Sequence, residues 1–112
     1  MMDEQTREKV RQVGEILRSR DSRCRVYWAL PSEYNEDGPT DFVGTEPEAC
    51  RFCIRGAIHR VAGTDAGLKM RHLAEVIEDY LIPKDTSVGL ISFWDDATDE
   101  EQDAIVEKLL NA

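Results

Sequence analysis

Cys50 and Cys53 stand three residues apart in the stretch CRFCIRGAIHRVAG, ahead of a Gly56-Ala57 step and His59. Thiols at this spacing can serve redox, metal or nucleophilic chemistry, and each use makes a further demand on the chain. A redox pair needs its first cysteine at a helix N-terminus, where the dipole and free amides lower the thiol pKa. Thr45-Glu46-Pro47-Glu48 has the form of a capping box, which predicts a helix from about Glu46 to Ala62 and puts Cys50 about a turn inside it. Structural zinc needs four ligands, and only Cys24, His59 and His72 remain to complete a set, with no second paired spacing; no metal and no cofactor is assigned. A hydrolase or transferase would use Cys53 as nucleophile, His72 as base, and Asp95 or Asp96 to orient the imidazole.

The bland alternative for the same residues is packing. On a helix, Cys50, Cys53, Ala57 and Val61 fall on one small apolar stripe, and both histidines lie among Arg and Lys, as solvated residues do. A glycine inside a helix costs about 1 kcal/mol against alanine, so Gly56 predicts a close backbone approach, with Trp28 or Trp94 as the contact. The residues therefore favour a buried seam over an enzyme, with catalysis by Cys53, His72 and Asp95 as the rival.

Charge supplies a second candidate site. Residues 1 to 60 hold eleven acids against ten Lys and Arg, whereas residues 61 to 112 hold twelve against four, and the chain totals −9. In WDDATDEEQD, six carboxylates crowd into residues 95 to 103, without the alternating ligands and central glycine of a calcium loop. Acids in a first helical turn suit the macrodipole, which accounts for part of the cluster. Asp95 and Asp96 precede that turn, and with Glu75, Glu78, Asp79 and Asp85 they can form a broad negative face. Asp95, Asp96, Asp99, Glu100 and Asp103 are the candidate binding residues for a protein partner with a basic surface. The same charge disfavours direct contact with nucleic acid or anionic lipid.

The elements that must position these groups follow from periodicity. Val10, Val13, Ile16 and Leu17 mark an amphipathic helix from Asp3 to about Ser19. RCRVYWAL alternates as a short strand that Pro31 ends, and SEYNEDGPTDFVG carries turn residues before Phe42-Val43, which can fold back as a second strand. Gly63 is placed to cap the cysteine helix. A further helix begins near Asp65 with Leu68, Leu73, Val76, Ile77, Tyr80 and Leu81 as its stripe and stops before Pro83. SVGLISFWDDA predicts a short helix, and Thr98 with Glu101 a capping box opening a last helix whose Ile105, Val106, Leu109 and Leu110 face the core. The expected architecture is one compact α+β domain over 1 to 112, mostly helical, with about four helices and one short strand or hairpin. No export signal and no run of about 20 apolar residues is present, so the chain is expected in the cytoplasm with reduced thiols.

EACRFCIRGAIHRVAG and ISFWDDATDEEQDAIVEKLLNA together resemble a family of small uncharacterised bacterial and phage proteins with Cys-x-x-Gly-Ala and Trp-Asn-Asp motifs. The resemblance singles out Cys53, Gly56, Ala57, Trp94 and Asp96; Asp95 stands where the family pattern has asparagine, and Ile58 where it has leucine. It implies no activity. It does imply that the Trp-Asp pair joins the last helix to the cysteine helix. The expected role is an acidic interaction protein, of the inhibitor or decoy kind found in phage and mobile elements.

Overall fold

The computed structural model describes residues 3–25, 29–31, 49–63, 67–84 and 86–112. Within them lie five α-helices and a two-stranded antiparallel ladder, the mostly helical α+β class expected. Helix α1 (Glu4–Ile16) starts where the Asp3 carboxylate accepts the Thr6 amide at 2.7 Å, and it buries Val10 and Val13, with Leu17 beyond its end. A 3-10 turn at Arg20–Ser22 then leads to Cys24. Strand β1 (Ala29–Pro31) pairs with β2 (Ala49–Phe52) in the register Ala29 to Phe52 and Leu30 to Arg51, with a bulge before Pro31. Helices α2 (Ile54–Ala62), α3 (Gly67–Leu81), α4 (Leu90–Asp95) and α5 (Asp99–Leu110) complete the order.

The cysteine helix differs from expectation at its start. Residues 49 to 52 are extended and α2 begins only at Ile54, with Cys53 as its N-cap. The cause is tertiary. Phe52 pairs with Ala29, forms a parallel bridge with Arg23, and its carbonyl accepts the Cys24 amide at 3.0 Å, so its backbone is committed before a helix can claim it. The stripe through Cys50, Cys53, Ala57 and Val61 is therefore broken: Cys50 is exposed on β2, and Gly56 sits in the first turn of α2 rather than mid-helix. The Thr45 box, Trp28, Phe42-Val43 and Asp85 lie outside the described residues.

Residues 23–25, read as part of the first strand, form only an isolated bridge at Arg23, whereas the helix caps follow their sequence signals. Gly63 caps α2 with a φ of 90°, and its amide reaches the His59 carbonyl at 2.9 Å. The α5 capping box forms as read, the Thr98 hydroxyl accepting the Glu101 amide at 3.1 Å and the Glu101 carboxylate accepting the Thr98 amide at 3.0 Å. Leu68 is exposed instead of joining the α3 stripe.

The core draws on every helix: Val13 from α1, Ile58 from α2, Ile77 from α3, Trp94 from α4 and Leu109 from α5. Close approach of backbones occurs at Gly14, where α1 meets α5. A Cβ there would stand 3.0 Å from the Leu109 Cβ and 3.1 Å from the Leu110 amide nitrogen. Glycine at that position lets α5 lie against α1 without displacing its backbone.

Candidate functional site

Cys53 is 3% exposed, and its Sγ takes the N-cap role that Ser or Asp usually fills, accepting the Gly56 amide at 3.4 Å. Position at a helix N-terminus should lower a thiol pKa, and the Gly56 and Arg55 amides do pull in that direction. Burial outweighs them and pushes the Cys53 thiol up, with the nearby Asp95 carboxylate adding to the rise. Cys24, half-buried beside it, is pushed up to about 12, first by burial and then by its neighbours Cys53 and Asp95. The pair is thus held as neutral thiols.

Asp95 does come close to Cys53, as the catalytic alternative requires, yet its charge acts against thiolate formation. Its Oδ1 is buried with no hydrogen-bond partner among the described residues. His72 lies elsewhere, on the exposed side of α3, in a cleft it shares with Asp3, Thr6, Asp79 and Lys84. The three residues of that alternative therefore occupy two different surroundings. Among the described residues no group of three or more His, Cys, Asp or Glu is arranged to hold a metal ion.

The acidic cluster divides in two. Asp103 on α5 is half-exposed and accepts from Arg20 Nη2 at 2.6 Å and from Arg23 Nη1 at 2.7 Å. The Arg23 side chain is only 6% exposed and also donates to the Leu17 carbonyl at 2.7 Å and the Arg18 carbonyl at 3.2 Å. Asp99 accepts from Arg25 Nη2 at 3.0 Å, which also donates to the Ala97 carbonyl at 2.8 Å. Both acids thus bind the 20–25 segment of their own chain. Asp96 and Glu100 are exposed, and neither is ion-paired among the described residues. Glu75, Glu78 and Asp79 are exposed on α3, with Asp79 in the His72 cleft.

A groove of about 480 Å³ opens between the end of α3, α4 and α5. Leu81, Phe93, Ala97, Ala104 and Ile105 line it, and Asp96, Glu101 and Lys108 stand among them. Sequence reasoning found the acids but not the groove. The available signal was the density of apolar residues in SVGLISFW: Leu90 and Trp94 are buried, which leaves Val88 44% and Ile91 42% exposed.

Two outcomes follow. With an aromatic disulfide reagent, Cys50 should label rapidly in the native protein, while Cys24 and Cys53 label only on unfolding; rapid labelling mapped to Cys53 would contradict the thiol assignment. The second concerns pH. The Arg20 and Arg23 guanidiniums hold the Asp103 carboxyl at about 2, below its ordinary 3.8, so its stabilising contribution is complete above about pH 4 and lost as pH falls through about 2. Urea midpoints of the parent and Asp103→Asn should differ most at neutral pH and converge between pH 4 and pH 2. A constant difference across that window would contradict the pairing.

No helix among the described residues is long and apolar enough to cross a membrane. No curated protein and no solved structure matches the chain. A family model described as a family of unknown function, DUF6197, matches residues 1–112. The chain thus belongs to the DUF6197 family of unknown function.

Proposed function

We propose that the chain is a protein-interaction domain whose α4–α5 surface meets a basic partner. The observation that carries this reading is the division of the acidic cluster. Asp99 and Asp103 are ion-paired to arginines of the same chain, while Asp96 and Glu100, on either side of the turn that joins α4 to α5, are exposed and not ion-paired among the described residues. Outward carboxylates on a chain of net charge −9 steer basic surfaces toward it and repel phosphate. An inhibitor or decoy role fits such a surface. Thiol catalysis is disfavoured because Cys53 is buried and its pKa raised.

The test is fluorescence anisotropy of a labelled Ser-Lys repeat peptide against the intact protein. Association should weaken by about tenfold between low and physiological salt, because exposed charges are screened over a Debye length of about 8 Å at 0.15 M. Asp96→Asn with Glu100→Gln should weaken it several-fold at low salt. Affinity indifferent to salt, or unchanged in the double variant, would sink the reading.

A further inference from the structure

Resting on the acidic-surface reading above, we propose that the groove between α3, α4 and α5 receives the apolar face of an amphipathic, Lys- and Arg-bearing helix from a protein partner. The groove's size, about 480 Å³, lies within the roughly 300–1,000 Å³ of sites that take up apolar groups. Its floor is apolar, from Leu81, Phe93, Ala97 and Ile105, and the exposed Val88 extends that surface at the edge. Helix α4 explains why the surface is left open. It buries Leu90 and Trp94 on one side, and its further apolar residues, Ile91 and Phe93, stay exposed or half-buried.

Charge complementarity chooses the occupant. Asp96 and Glu101 line the groove beside a single cation, Lys108, whose ammonium sits 5.1 Å from the centre of the Tyr80 ring. Glu100 is exposed one residue away on α5. An apolar anchor flanked by Lys or Arg would therefore place its charges against carboxylates. A second copy of this chain would bring the same acids face to face around a two-fold axis, against a net charge of −9. An extended strand is disfavoured because the named groove residues come from helices and their connections, which offer no ladder of amides and carbonyls to pair with. A helix lays side chains at i, i+3, i+4 and i+7 into such a groove without needing one.

Three synthetic peptides of equal length test this on the intact protein by amide chemical-shift mapping. One carries leucines at i, i+3, i+4 and i+7 with lysines elsewhere; the second replaces leucine by serine, and the third replaces lysine by glutamate. The Leu-Lys peptide should bind at least about tenfold more tightly than Ser-Lys and shift Val88, Ser92, Phe93, Ala104 and Lys108. Ala104→Trp fills the groove from an exposed position on α5, and Ser92→Trp does so from an exposed position on α4. Each should remove the tenfold gain while leaving the melting curve near that of the parent, and at least one is expected to fold. Equal binding of Leu-Lys and Ser-Lys would overturn the groove assignment and leave the acidic surface standing. Binding of neither would overturn both. Leu-Glu binding as well as Leu-Lys would remove the basic partner, and self-association abolished by Ala104→Trp would make the occupant a second copy.

Discussion

The indole N–H of Trp94 donates to the Cys24 carbonyl at 3.0 Å, and much of the structure hangs from that bond. Trp94 is 0% exposed, so its indole N–H would otherwise be left without water. A buried N–H deprived of its acceptor costs about 1–3 kcal/mol, more than the net gain from an average hydrogen bond. The carbonyl of Trp94 in turn accepts from Gln102 Nε2 at 3.0 Å, and Gln102 is the buried polar side chain of α5. One tryptophan thus ties α4 to α5 and to the segment that follows α1. Cys24 passes the constraint on, since its amide donates to Phe52, the last residue of β2 and the neighbour of the α2 cap.

Charge reinforces the same tie. Asp99 and Asp103 reach across to Arg20, Arg23 and Arg25, so the 20–25 segment is held from one side by an indole and from the other by carboxylates. A stretch with one nearly buried guanidinium is thereby held against the core. The thiols belong to this construction. Cys53 caps α2 and Cys24 lies beside it, both kept neutral by burial and by Asp95. The groove and its acids face outward beside this construction, and the proposed interaction is placed on them.

Sequence periodicity carried the helices well. Val10, Val13 and Leu17 on α1, Ile105, Val106 and Leu109 on α5, and the Thr98-Glu101 box all stand as their spacing implies, because their partners are local or their stripe is continuous. The start of α2 was hidden because the strand at 49–52 depends on pairing with residues 29–31 and 23, far away in the chain. The acids were visible as a cluster, but their arginines were not: Arg23 and Asp103 are 80 residues apart, and sign alone does not reveal a pair. For the same reason the close approach at Gly14 was not visible, because its neighbours Leu109 and Leu110 come from the far end of the chain.

The most direct measurement is hydrogen exchange at the Cys24 amide, compared with core amides of α5 such as Leu109. If the Trp94 bond and the arginine pairs hold the 20–25 segment against the core, Cys24 should exchange only through global unfolding, with protection equal to that of Leu109. Protection lower by orders of magnitude, with α5 still fully protected, would show that the segment opens independently and would contradict the account.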